Sequence, residues 1–161
     1  MLTSRTLGLQ PGRGQRSCAV PRSNAILGTG SPPVRELLAS GMKIGLGTDN
    51  LMINSPDMFR EMDFTSRITR LSGLDPAAVA SADVLRMATA WGAAAVGISG
   101  STGALRAGLD ADIVLLDLNG RMAGTHDICS SIVHRAGPED VVATIKKGVL
   151  LHETQRVRRL N

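Results

Sequence analysis

Apolar residues fall into short runs separated by glycine and proline, and one run gathers the chemistry. Between Met42 and Asn50 an apolar stretch, Ile44 to Leu46, is thinned by glycines and followed by a carboxylate at Asp49. Apolar positions that continue instead of alternating predict a short buried strand. Gly45 and Gly47 lack side chains, so another backbone or a ligand can come close there. Upstream, Ser17 to Val20 predicts the end of another short strand, followed by turn chemistry at Pro21-Arg22-Ser23-Asn24 and a flexible corner at Gly28-Thr29-Gly30. That corner lacks the G-x-x-x-x-G-K-[ST] pattern of a phosphate loop. Ser31-Pro32-Pro33 predicts a helix start, because serine caps and proline tolerates the first turn. Val34, Leu37 and Leu38 give the helix an apolar stripe, and Gly41 suits its end. Strand, loop, helix and strand in this order form the parallel crossover of an α/β protein.

Ser55-Pro56-Asp57 predicts the start of the longest helix, with proline at its first position, running to about Leu71. Phe59, Met62, Phe64, Ile68 and Leu71 are its expected buried ladder. Gly73 closes it, and Asp75-Pro76 and Ser81 each predict a further short helix. Ala93 to Val96 predicts another, ended by Gly97. Beyond Gly100 the pattern turns to strands: Asp112 to Asp117, Ser131 to His134, and Val141 to Ile145. The last is joined through Lys146-Lys147-Gly148 to Val149 to His152 as a hairpin.

The 161 residues are 43% hydrophobic, which suits a real core. They are too few for a complete eight-fold barrel, which needs about 250 residues and at least about 200. The net charge of +4 comes from arginines near the two ends. Basic ends suit nucleic acid or an anionic membrane, but 2% aromatic content leaves little to stack on bases. We therefore read the ends as solvated and expect no nucleic-acid partner. The acid-free, arginine-rich N-terminus has the composition of a transit peptide, but its proline and glycines make a poor amphipathic helix. No apolar run approaches the roughly 20 residues of a membrane span, so no membrane partner is expected. Cys18 and Cys129 match no metal spacing and form no disulfide framework, so a cytoplasmic location is the expectation.

Asp49 admits two readings. Residues at the carboxyl ends of strands face the active site in α/β barrels; alternatively, the side chain only caps a turn. The histidines are His126, His134 and His152, all downstream of Asp49, with no His-x-His and no i,i+4 pair. His134 reads as structural, His126 as solvated beside Asp127, and His152 as a surface residue.

Four ordered blocks carry a resemblance. The first is Pro21-Arg22-Ser23-Asn24 with Pro33 to Leu38 and Gly45-Leu46-Gly47-Thr48-Asp49. The second is Met87-Ala88-Thr89 with Gly92-Ala93-Ala94. The third is Gly103-Ala104-Leu105, Gly108 and Ala111-Asp112-Ile113-Val114. The fourth is Val142 to Val149, with Lys147-Gly148 in place of the usual Asp-Gly. Over residues 20 to 153 this pattern resembles the metal-dependent amidohydrolase superfamily, in the branch of guanine, cytosine and S-adenosylhomocysteine deaminases and triazine hydrolases. The resemblance implies an α/β fold: a partial TIM (β/α)8 barrel containing the last two strands and their helices, followed by a small C-terminal β-sandwich subdomain. The implied divisions are an irregular segment 1–16, the barrel part 17–99, the β-subdomain 100–153 and a basic tail 154–161.

By the same resemblance Asp49 ends the eighth strand, binds the catalytic metal and shuttles protons. Ser23 and Asn24 line the substrate pocket. A divalent zinc or iron lowers the pKa of bound water and generates hydroxide at neutral pH. That hydroxide attacks a carbon bearing a nitrogen leaving group on a small aminated heterocycle. The chain departs from the pattern in its metal cage: Ala19-Val20 stand where the family often has His-Cys, and a catalytic zinc normally takes three protein ligands. The expectation is therefore a truncated C–N hydrolase that holds no metal and is inactive alone. The alternative is a non-catalytic interaction module that self-associates through exposed barrel edges.

Overall fold

A computed structural model describes residues 17–124 and 126–155. The segment 1–16 and the tail beyond residue 155 lie outside the described residues. The elements in order are β1 (Ser17–Ala19), α1 (Pro21–Leu27), α2 (Val34–Ala39), β2 (Ile44–Leu46), α3 (Met58–Gly73), α4 (Ser81–Ala88), α5 (Ala90–Ala95), β3 (Ile113–Leu116), α6 (Ile128–His134), β4 (Val141–Lys146) and β5 (Val149–Glu153).

β1 and β2 pair in parallel, with Ser17 opposite Ile44, Cys18 opposite Gly45 and Ala19 opposite Leu46. The expected crossover is therefore present, and all three residues of β2 are buried. The close approach expected at the strand glycines is found at Gly45. A Cβ there would stand 3.0 Å from Ala95 Cβ, 3.0 Å from Cys18 Sγ and 3.2 Å from Gly92 Cα. Helix α5 thus lies directly on β2, and glycine is what lets it do so. Ala19, Ile44 and Leu46 join Val34, Met62, Val84, Met87 and Val133 in one core. The described strands form this two-stranded sheet and a separate three-stranded one, and they close no barrel.

Several helical expectations change: α2 begins at Val34 with no side-chain cap from Ser31, and Gly73 lies inside α3, which ends on Leu74 in the left-handed region. α1 begins at Pro21, where a turn was expected. Proline's fixed φ suits a first helical position, and the partner that caps this start is remote in sequence. α3 begins one residue after Asp57, whose side chain accepts a hydrogen bond from the Arg60 N–H at 3.1 Å. Pro56 consequently precedes the cap and is not the first helical residue. Residues 75–80 form turns instead of a helix, because the Asp75 side chain accepts the Ala77 N–H at 2.8 Å. Such local bonds compete with helix formation.

The buried face of α3 also differs. Of the expected ladder only Met62 is fully buried, and Leu71 is 67% exposed. The inward stripe is Glu61, Met62, Thr65, Ser66 and Thr69. Thr65 satisfies its hydroxyl by donating to the Glu61 carbonyl at 2.6 Å, which is how a polar side chain enters a helix interface at low cost.

Ser131 to His134, expected as a strand, is the end of α6. Asp127 starts that helix by accepting the Ser130 N–H at 3.1 Å, and Val133 packs in the core formed by α3, α4 and β2. β3, β4 and β5 form one antiparallel sheet in that order. The hairpin turn has positive φ at both Lys147 (51°) and Gly148 (79°), the geometry of a tight two-residue connection. Asp112 supports it: its carboxylate accepts the Lys147 N–H at 2.9 Å, the Thr102 hydroxyl at 2.7 Å and the Lys146 ammonium at 2.5 Å. No helix among the described residues is long and apolar enough to cross a membrane.

Candidate functional site

Parallel pairing points the carboxyl ends of β1 and β2 the same way, which is where ligands gather in open α/β sheets. Beyond β1 the chain passes Val20 and enters α1. Beyond β2 it passes Gly47, whose N–H bonds the Ala19 carbonyl at 3.0 Å and extends the pairing one step. Asp49 follows in the left-handed region at φ 59°. For a non-glycine residue that is a sparsely populated conformation, and residues so held cluster at functional sites. The two ends meet in a hydrogen bond from Ser23 Oγ to Asp49 Oδ2 at 2.5 Å. Ser23 is buried and Asp49 exposed, so the hydroxyl anchors one carboxylate oxygen from below while the group faces outward.

Asn24, the third sequence candidate, follows Ser23 in the first turn of α1 and is half-buried. Its N–H bonds the Val20 carbonyl at 3.0 Å and its carbonyl accepts the Thr29 N–H at 3.0 Å. The structure therefore brings Ser23 and Asp49 into contact and puts Asn24 beside them on the same turn.

The start of α1 has no local side-chain cap. Glu61 of α3 takes that role. Its Oε1 accepts the Arg22 N–H at 3.0 Å, and its Oε2 lies 3.8 Å from the Arg22 guanidinium. The Glu61 side chain is 0% exposed. Burial pushes its carboxyl above the ordinary value, against the opposing pull of the Arg22 N–H and guanidinium. Glu61 was not among the sequence candidates. Its one signal is position, since a carboxylate precedes Met62 by one residue and Thr65 by four on the inward stripe.

The remaining candidates are elsewhere. His134 tethers α6 to α3, with Nδ1 2.9 Å from Asp63 Oδ1 and Nε2 3.4 Å from Ser66 Oγ. Ser66 is fully buried, so this Asp–His–Ser arrangement has no access for a substrate. An apolar groove of about 1090 Å³ runs between the helices and the three-stranded sheet, past Phe59, Leu105, Val114 and Ile132, and neither Ser23 nor Asp49 lines it.

The described residues contain no group of three His, Cys, Asp or Glu side chains that could hold a metal ion. A catalytic zinc generally takes three protein ligands, so these residues do not fit a complete metal site. Asp49 supplies one ligand at most.

A model described as the amidohydrolase family matches residues 4–151. The 5-methylthioadenosine/S-adenosylhomocysteine deaminase 1 of Syntrophus aciditrophicus is 34% identical over 143 residues, covering 88% of this chain and 32% of that protein. The 5'-deoxyadenosine deaminase of Methanosarcina mazei is 36% identical over 143 residues, covering 88% and 33% respectively. An adenosine deaminase from Xanthomonas campestris, solved with bound zinc, superposes with a TM-score of 0.79 at 27% identity, covering 89% of this chain and 35% of that one. The chain spans about a third of the length of the curated relatives it matches.

Proposed function

The chain belongs to the amidohydrolase family, and from that premise we propose that it is the Asp49-bearing part of a hydrolase acting on carbon–nitrogen bonds. The reaction is hydrolytic deamination of a small aminated heterocycle. Residues 17–99 are the end of a (β/α)8 barrel, and 100–153 are a small C-terminal β-sandwich subdomain. The hydrogen bond between Ser23 and Asp49, across the carboxyl ends of two adjacent parallel strands, carries this reading.

In this reading the Ser23 hydroxyl holds Asp49 Oδ2 and leaves Oδ1 to the substrate. Asp49 takes a proton from the attacking water as the carbon–oxygen bond forms, then returns it to the departing nitrogen as the carbon–nitrogen bond breaks. Ammonia leaves. Asn24 lines the pocket with an amide that both donates and accepts. A zinc or iron ion, when bound, supplies activation of water; Asp49 is its one ligand from the described residues, so the chain alone is inactive.

A chimera tests the reading. Residues 17–153 replace the matching segment of a curated deaminase relative, so that the rest of the site comes from the relative. The reading predicts ammonia release from 5'-deoxyadenosine, abolished by Asp49→Asn. A folded, metal-loaded chimera whose turnover ignores Asp49→Asn would overturn it.

A second reading rests on surface. β3 and β5 are both edge strands, and Val114, Leu115, Val149, Leu150 and Leu151 are exposed. Open apolar edges pair with other chains, which favours an interaction module. Sedimentation at rising concentration tests it: self-association supports it, and a constant monomer mass excludes association between copies.

A further inference from the structure

Ser23 reaches Asp49 from a seven-residue helix that has no cap of its own. Helices this short are marginal without help from their surroundings. Glu61 provides it, with one carboxylate oxygen on the Arg22 N–H and the other facing the Arg22 guanidinium. Arg22 also reaches the Ser55 carbonyl at 3.5 Å, in the loop that leads into α3. Residue 22 is thus held by its backbone and its side chain, and residue 23 carries the hydroxyl.

Keeping Glu61 there has a cost. Its Oε2 has no hydrogen-bond partner among the described residues although the side chain is fully buried. An unsatisfied buried polar atom typically costs more than a well-packed apolar replacement. A core chosen for stability alone would place methionine or leucine at this position, as it does at the adjacent Met62.

We infer that Glu61 is the positioning residue of the Ser23–Asp49 pair: it anchors the first turn of α1 and so sets where the Ser23 hydroxyl meets the Asp49 carboxylate. The inference rests on the reading that this pair belongs to the hydrolytic site. Glu61 touches no reacting atom and acts through Arg22 and α1.

The test uses the 161-residue chain and needs no turnover. Two quantities are read by NMR: the carboxyl carbon resonance of Asp49, and amide exchange at Arg22 and Asn24 relative to the amides of α4. Ser23→Ala gives the Asp49 resonance without its hydrogen-bond donor. Glu61→Met keeps volume and removes the acceptor; the Asp49 resonance then moves to the Ser23→Ala position. Arg22 and Asn24 amides exchange about fivefold faster, the factor for losing a cap worth about 1 kcal/mol. Glu61→Gln keeps an acceptor and loses the charge; neutral bonds are roughly half as strong, so the resonance stays near wild type and exchange rises about twofold. A wild-type Asp49 resonance in folded Glu61→Met overturns the inference. So does unchanged Arg22 exchange in Glu61→Gln, which decides the matter should Glu61→Met not fold. Because the chimera assay reads turnover, failure of the functional reading leaves this coupling standing, and failure of the coupling leaves the role of Asp49 untouched.

Discussion

Gly45→Ala is the sharpest perturbation of the site's foundation, because it adds one methyl where β2 meets both β1 and α5. The new Cβ stands 3.0 Å from Ala95 Cβ, 3.0 Å from Cys18 Sγ and 3.2 Å from Gly92 Cα. Carbon atoms in comfortable contact are about 3.5–4.0 Å apart, so all three neighbours must yield. Cys18 is exposed, and its thiol can rotate away. Gly92 and Ala95 can yield only if α5 moves. Overpacking of this kind costs about 1–3 kcal/mol. Alanine recovers about 0.4–1 kcal/mol by restricting the unfolded chain, leaving a net loss of roughly 0–2.6 kcal/mol with a midpoint of about 1.3 kcal/mol. Equilibrium urea unfolding reads this as a lower midpoint at unchanged slope. Ala95→Gly in the same chain removes one of the three contacts and restores part of the loss. That coupling is expected to exceed about 0.5 kcal/mol, the usual limit of additivity for independent sites. Gly45→Ala more stable than wild type, or strict additivity with Ala95→Gly, refutes the close approach of α5 to β2.

Three other predictions are independent of that contact. Asp57→Ala removes the cap of α3 and costs about 1 kcal/mol by urea unfolding, whereas Ser55→Ala leaves stability within about 0.5 kcal/mol. Lys147→Asn stabilises by roughly 0.5–1 kcal/mol in the same assay, since asparagine tolerates the left-handed region better than lysine and the ion pair from Lys147 to Asp110 is exposed. The Lys146 ammonium, the Thr102 hydroxyl and the Lys147 N–H hold the Asp112 carboxyl down at about 2. Its contribution is present above the ordinary carboxylate value and is lost as pH falls through 2; Asp112→Asn flattens the acid limb of a stability–pH curve below pH 4.

Elements whose causes are local were legible in the chain. Ile44 to Leu46 with its glycines announced a buried strand, Val34, Leu37 and Leu38 announced α2, and Lys147-Gly148 announced the hairpin turn. The features that were missed depend on distant partners. Pro21 to Asn24 read as a turn because the group that caps α1 is Glu61, 39 positions away. The inward face of α3 was misassigned because Glu61, Thr65, Ser66 and Thr69 count as surface residues by type; the first three enter the core through specific hydrogen bonds, and Thr69 enters with its hydroxyl unpartnered among the described residues. α6 read as a strand from its β-branched Ile132 and Val133, yet the Asp127 cap was a visible helix signal. Asp49 itself was ambiguous by spacing, since an acid after a strand also caps turns. Resemblance selected it, and Ser23 is what the structure places against it.

Metal content and turnover of the purified chain test the central claim most directly. After zinc loading and dialysis, the account predicts far less than one zinc per chain and no ammonia from 5'-deoxyadenosine. One tightly held zinc per chain together with sustained ammonia release would contradict it.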